Sequence, residues 1–431
     1  MTGRYRPVAG LLALIALANT GTRMMAIAVP WFVLVSTGSA TRTGLVAAFE
    51  LAPYVLAKAL GGPVVDRLGQ RRVSIAADLA SAATIGLIPL SYGLGVLSLP
   101  LLLALVAVAG ALRGPGDTAK HTAVPIVADR TGLPLERLTG LSGAMERGSG
   151  LVAPAMAALM IGVTGPLGAI GITAVCFAIS AAVGWAGLPA GAGNADNRPD
   201  ADSRDDNASY LRRLRAGWTF LTADRLLLSL ILMIMVTNLL DVAKTSVLLP
   251  VWARDGGHGV SAIGLLLSGM AAFSMLTSLI ASWLGPRLPR RITYFIAFAV
   301  AGPPPFIALA LDLQFWSVMA VYCVAGFASG LLNPMIGAML FERIPRPLLG
   351  RVGALADALA WSAMPLGGLV AAALIALTGL SGALGLAAAG YALAIVLPAL
   401  VTRSSFEPLT PAEAGEPSEL DDSSREPSHR T

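Results

Sequence analysis

The stretch Gly61-Gly62-Pro63-Val64-Val65-Asp66-Arg67-Leu68-Gly69-Gln70-Arg71-Arg72 lies between two long apolar runs, 45–65 and 73–90. Each run can cross the ~30 Å hydrocarbon core of a bilayer as a helix, which takes about 20 residues at 1.5 Å rise. Charges and glycines are therefore crowded into a short turn at a membrane surface. Gly62 is placed to let helices pack closely, and Gly69 to give the turn a positive φ. Arg67, Arg71 and Arg72 assign that surface to the cytoplasm, because short inner loops carry the excess of Lys and Arg. Asp66 does not fit that explanation. An acid at a helix end adds nothing to a positive-inside signal, so it needs a role of its own.

Composition points the same way. Hydrophobic residues make up 55% and charged residues 13%, with a mean hydropathy of +0.73; soluble domains carry about 25% charged residues. A net charge of +5 is spread over short loops and forms no patch for nucleic acid. Cys176 and Cys323 lie in separate apolar runs, and the three histidines (His121, His258, His429) have no ligand spacing. No disulfide framework, metal site or cofactor is expected. No Gly-x4-Gly-Lys-Ser/Thr loop occurs, which disfavours a nucleotide-driven pump.

Working outward, apolar runs fall near 8–36, 43–65, 73–95, 98–124, 138–163 and 165–189, then 226–253, 259–285, 291–312, 314–340, 350–378 and 380–403. Arg4 and Arg6 before Ala16-Leu17-Ala18 imitate a signal peptide, but the run continues to Val35, too far for one, so 7–35 reads as a retained first span. The fold class is therefore an all-α membrane protein with twelve transmembrane helices. Arg130, Arg137, Arg212, Arg213, Arg215, Arg287, Arg290, Arg291, Arg343, Arg346 and Arg351 fall on the same side as the 61–72 turn, against Arg42 and Arg254 on the other. Both termini then face the cytoplasm of a multi-pass cell-membrane protein.

The halves repeat. Pro30-Trp31 answers Pro250-Val251-Trp252 (250 − 30 = 220), and Gly44, Arg71 and Pro125 answer Gly264, Arg291 and Pro345 at the same offset. The implied domains are a first six-helix bundle (1–189), a cytoplasmic linker with an amphipathic helix (190–225), a second bundle (226–403) and a disordered tail (404–431). A parallel six-plus-six repeat places a substrate path between the halves near midplane.

The pattern Gly62-x3-Asp66-Arg67-x-Gly69-x-Arg71-Arg72 between spans two and three resembles the signature loop of the major facilitator superfamily. The resemblance implies a conformational latch, in which the aspartate faces the N-terminus of a helix in the opposite half and the arginines bind nearby acids. In the second copy the basic residues remain but Pro286 stands where the acid would be, so the latch is one-sided. The start of span eleven, Leu348-Leu349-Gly350-Arg351, offers free amides and a positive charge for that acid. Further stretches, Val73 to Leu79, Arg113-Gly114-Pro115-Gly116-Asp117-Thr118-Ala119-Lys120, Leu135-Glu136-Arg137-Leu138, Asn333-Pro334, Glu342-Arg343-Ile344-Pro345 and Gly350-Arg351-Val352, look like the macrolide-efflux-type branch of twelve-span drug:proton antiporters. The antiporter pattern of span five survives as Gly140, Ser149, Ala153-Pro154 and Ala157-Ala158. Its ending is nearer in span eleven, as Pro365-Leu366-Gly367-Gly368. Both suit close helix packing through small residues.

Charges inside spans are costly facing lipid, ~2.5–3.5 kcal/mol or more each, so they should face a cavity or a partner. Asp241 and Glu50 are the candidate proton carriers, with Arg23 or Lys244 as counter-charge; Glu146 and Arg147 complete the coupling or substrate set. Lys58 reads as a structural charge. Asp78, Arg113 and Asp117 are expected near the cytoplasmic edge, in a structural role beside the latch. Met24, Met25, Met233, Met235, Met270 and Met275 suit an adaptable apolar cavity, though single methionines are more often helix packing. The leading expectation is a monomeric secondary transporter that exports amphipathic drugs against protons, with the lipid bilayer as its other partner. An importer of a polar metabolite is the alternative, and a non-transporting sensor or scaffold the third reading.

Overall fold

The computed structural model describes residues 2–188, 218–284, 289–344 and 349–401, where all regular structure is helical. Ten helices there are long and apolar enough to cross a membrane. Two are far too long for one crossing: Leu135–Gly187 has 53 residues and Val352–Leu400 has 49, roughly 75–80 Å if straight. Each folds back at a glycine in the left-handed region, Gly165 (φ 77°) and Gly379 (φ 72°), a conformation other residues adopt only under strain. The doubling back is visible in the contacts. Ser149 and Ser180, on either side of Gly165, donate to the carbonyls of Ala16 (3.1 Å) and Leu14 (3.2 Å), two residues apart on the first helix. Gly367 and Gly390 flank Gly379 and both abut the helix carrying Leu239 and Leu240. Counted by arm, the ten helices give twelve segments of membrane length among the described residues.

The first half comprises α1 (Thr2–Thr37), α2 (Ala40–Leu60), the short α3 (Gly62–Leu68), α4 (Gln70–Gly93), α5 (Leu99–Thr131) and the folded α6 (Leu135–Gly187). The second comprises α7 (Arg225–Ala243), a π-helical turn (Lys244–Leu248), α8 (Leu249–Asp255), α9 (Gly259–Leu284), α10 (Arg290–Ala301), α11 (Pro303–Ala310), α12 (Phe315–Arg343), α13 (Leu349–Ser362), a 3-10 turn (Met364–Leu366) and the folded α14 (Gly367–Val401). Serine and aspartate side chains start several of these helices by capping free amides: Ser39 caps α2, Ser98 caps α5 and Asp224 caps α7.

Packing confirms the repeat and corrects its register. Gly110 and Gly114 seat α5 on the backbone of Glu50, Tyr54 and Lys58 in α2, while Gly326 and Gly330 seat α12 on Met270, Ser274 and Ser278 in α9. The offset is 220 between α2 and α9 (270 − 50) but 216 between α5 and α12 (326 − 110), and 214 between the two fold-back glycines (379 − 165). The expected match of Pro125 to Pro345 is not tested, because Pro345 lies outside the described residues.

The two ends of the molecule differ. At the end opposite the 61–72 turn, Gly44 abuts Gly368, and Gly264 abuts Pro154 and Ala158. There the Ala155 amide donates to Ser268 Oγ (3.1 Å) and Arg254 Nη1 to the Leu34 carbonyl (3.4 Å). One apolar core crosses both halves, joining Met24–Leu34 to Val247–Ala253. Toward the basic end the core divides. Leu11, Leu14, Val127 and Leu138 cluster in the first half, and Leu227, Ile231, Ile344 and Val352 in the second. Among the described residues, the apolar core joins the halves at one end and divides between them at the other.

Of the expected amphipathic linker helix, Leu211 and Leu214 lie outside the described residues, as do the tail from Ser404 and the second basic turn at 285–288. Residues 218–223 are helical, and Leu221 is buried against Leu227 and Val352 while Trp218 is exposed.

Candidate membrane-embedded transport site

The parting of the halves leaves a cavity of three adjoining lobes. The first-half lobe, about 440 Å3, is lined by Arg23, Glu50, Tyr54, Lys58 and Asp117. The second-half lobe, about 450 Å3, is lined by Asn238, Asp241, Tyr294, Phe298, Asp357 and Tyr391. A middle lobe of about 420 Å3 holds Arg147, Met270 and Met275. Arg23 belongs to the first and middle lobes, Met270 and Ser329 to the middle and second, and Trp361 and Met364 to the first and second.

The first-half lobe is walled by paired charges. Glu50 accepts from Arg113 Nη2 at 2.9 Å, with both side chains buried. The counter-charge of Glu50 is thus Arg113 and not Arg23, while Lys244, the other expected counter-charge, pairs with Asp241. The reason is helix register: Gly110 brings α5 onto the backbone of Glu50, and Arg113 lies one turn further along the same face. Asp78 binds Lys120 Nζ (2.6 Å) and Ser180 Oγ (2.7 Å), and is buried. Asp117 accepts from Tyr54 OH (3.0 Å) and lies 3.6 Å from Lys120. So Arg113 and Asp117 belong to the cavity wall and not to the turn, and Asp78 anchors α4 to α5 and α6. Glu146 faces His121 at 3.5 Å, and Arg23 is exposed to the cavity.

The second-half lobe is mostly apolar and aromatic and holds two acids, Asp241 and Asp357. Asp241 binds Lys244 at 2.7 Å; Lys244 is 3% exposed while Asp241 is 43% exposed, so the acid alone meets the lobe. Tyr391 OH donates to Asp241 at 3.3 Å. The π-helical turn follows at once. Its wide turn accommodates Pro250, which lacks an amide and crowds the preceding turn. Met24, Met25 and Met233 are buried in helix packing, whereas Met270 and Met275 line the cavity.

In the turn, Gly69 has φ 86° as expected. Gly62 does not pack closely: a side chain there would meet open space, and Gly61 is the glycine pressed against Pro115. Asp66, Arg67 and Arg72 are exposed, and Arg71 donates to the Trp185 carbonyl at the end of α6 (2.7 Å), not to an acid. The helix carrying Gly350 and Arg351 begins at Leu349; the side chains of this segment lie outside the described residues. Pro154, Gly367 and Gly368 all lie where helices approach closely, Gly367 against Leu239 and Ala243, and Pro365 lies in the 3-10 turn between α13 and α14.

A sequence pattern described as Major Facilitator Superfamily matches residues 11–259 and again 231–428. The chain belongs to the Major Facilitator Superfamily. It is a secondary transporter and not an enzyme. Within the superfamily it is 30% identical over 367 residues to a protein of Mycobacterium tuberculosis named multidrug efflux pump Tap, covering 84% of this chain and 86% of that one. The protein of that name from Mycolicibacterium fortuitum is 27% identical over 367 residues, 84% of this chain and 88% of its own. Among solved structures, the nucleoside transporter NupG matches with a TM-score of 0.74 at 13% identity, over 92% of this chain and 99% of that one. A POT family transporter matches at 0.71 and 11%, over 92% and 96%.

Sequence reading missed Tyr54, Lys120, Asp357, Trp361 and Tyr391. Three of these are tyrosine or tryptophan in apolar runs, where only a contact reveals a role. Lys58, read as structural, has its ammonium 4.0 Å from the Trp361 ring centroid, on the other half.

Proposed function

We propose that this chain exports amphipathic small molecules, drugs among them, in exchange for protons by alternating access across the cell membrane. The observation that carries the reading is Asp241: an acid half exposed in an apolar, aromatic lobe, held by a lysine that is itself buried. Such a carboxylate can change charge as substrate and water come and go, with Lys244 stabilising the charged form. Glu50 with Arg113 is the second candidate carrier, and Arg23, Glu146 and Arg147 set the field between them. The name of the Mycobacterium relatives supports efflux.

Basic turns at one end support cytoplasmic termini, and on that reading the conformation is open inward. In that state Asp66 is exposed. When the inner end closes, Asp66 docks at the start of α13, whose amides and Arg351 favour an anion. The protein acts as a monomer, since one chain encloses the whole cavity.

The test is substrate flux in proteoliposomes under an imposed pH gradient. Asp241→Asn should abolish gradient-driven flux while retaining substrate binding; gradient-driven transport at the wild-type rate in both Asp241→Asn and Glu50→Gln would overturn the coupling. The charged first-half lobe favours one alternative, import of a polar metabolite. The direction of the driven flux separates the two.

A further inference from the structure

We propose that Lys58 is a built-in occupant of a cation site formed by Trp361, Tyr54 and Asp357, and that the cationic group of a transported amphipathic molecule takes its place. The proposal rests on the efflux reading and names the chemical class of its substrate.

Three lysines lie within the helices of the cavity. Lys120 and Lys244 are locked to carboxylates at 2.6 and 2.7 Å. Lys58 has no carboxylate ion pair among the described residues. Its ammonium lies over the Trp361 indole (4.0 Å to the centroid) and beside the Tyr54 ring (5.6 Å), with a 3.5 Å contact to Tyr54 OH. Aromatic faces attract cations without holding them in one geometry, so this grip is exchangeable where a carboxylate pair is not. The contact also crosses the halves, from α2 to α13.

The neighbourhood completes the site. Asp357 precedes Trp361 by one helical turn and so shares its face. It is exposed in the second-half lobe and, after Asp117 of the first-half lobe, is the acid whose charge acts most on Lys58. Asp241 in the same lobe is already engaged by Lys244, which leaves Asp357 as an acid there with no ion pair among the described residues. The rest of the lining is mostly Leu, Ile, Phe, Tyr and Met, and about 450 Å3 suits a drug-sized body. A molecule with an apolar body and a quaternary or protonated amine would bury the body in this lobe and set its charge against Trp361 and Asp357. Lys58 must then withdraw. Across the pseudo-repeat the position of Trp361 is taken by Arg147 (361 − 147 = 214), so the aromatic site exists on one side only.

The experiment measures binding of tetraphenylphosphonium and of the neutral dye N-phenyl-1-naphthylamine to the purified full-length protein. Lys58→Gln and Lys58→Met, by removing the internal competitor, should tighten phosphonium binding about fivefold, and Trp361→Ala should weaken it about tenfold, with Trp361→Phe between. The neutral dye should change little in all four. If Lys58 and Trp361 variants shift both probes alike, the contact merely braces the halves and the proposal fails. It fails also if Lys58→Gln leaves phosphonium affinity unchanged, or if the wild type binds the dye but not the phosphonium, in which case the efflux reading stands. Binding of neither probe removes both.

Discussion

Lys120 and Asp78 show what a single charge does in this fold. Both are almost without solvent at 2.6 Å, and Ser180 supplies a further hydrogen bond. Pairing offsets the desolvation of two ions, and removing one partner leaves the other uncompensated, at a cost of about 3–5 kcal/mol. Lys120→Met should therefore lower thermal stability in detergent sharply, and Asp78→Asn in the same chain should restore most of it. A double variant as unstable as the single one would mean that lysine packing, not charge, is what matters. Glu50 and Asp241 belong to a different class. Their amide variants keep shape and hydrogen bonding while losing the ability to change charge. Glu50→Gln and Asp241→Asn are expected to impair proton-driven efflux far more than substrate affinity, measured by flux and by binding on the same preparations.

At the scale of elements, the closed end depends on small residues. Gly44 against Gly368 and Gly264 against Pro154 and Ala158 let α2 and α9 touch the opposite half backbone to backbone. A larger side chain at either position overpacks only the state in which this end is closed. Overpacking costs about 1–3 kcal/mol, enough to move a two-state ratio roughly 5- to 150-fold. Gly44→Leu should thus shift the protein toward the state open at this end, read as a lengthened distance between spin labels at 36 and 255. An unchanged distance distribution would show that α2 and α14 slide without parting. The π-helical turn after Asp241 sets the acid's direction, since it rotates the chain between Asp241 and Pro250 relative to an α-helix.

For the whole molecule, the divided core at the basic end and the shared core at the other describe one of two states. Asp66 tests what holds the alternative. A carboxylate at a helix N-terminus is worth ~0.3–2 kcal/mol according to burial, so Asp66→Asn should favour the state described here by up to roughly 30-fold. It should slow transport while leaving expression and inner-side affinity nearly intact. Cysteine pairs across the halves, one at each end, report the ratio, and identical cross-linking at both ends would reduce the 61–72 loop to a basic turn. Orientation has its own check: a reporter active only outside the cell should stay silent when fused after Thr431 or within 194–206.

The class of the molecule, its apolar spans and its two-fold repeat were legible in the chain before any folding. These follow from run length and residue type, which are local properties of the chain. Asp241, Lys244 and Glu50 were legible there too, because charges in apolar runs are rare and costly wherever they point. Tertiary structure alone decided the partners. Whether Glu50 meets Arg113 or Arg23 depends on how α5 is rotated and slid against α2, and that is settled by Gly110 and Gly114 seating on backbone. The same packing set the offset at 220 in one helix pair and 216 in the next, a shift no motif spacing announces. Lys58 shows the limit most plainly. Its ring partner lies 303 positions away (361 − 58) on the other half, and an aromatic in an apolar span carries no sign of such a role until the helices are docked.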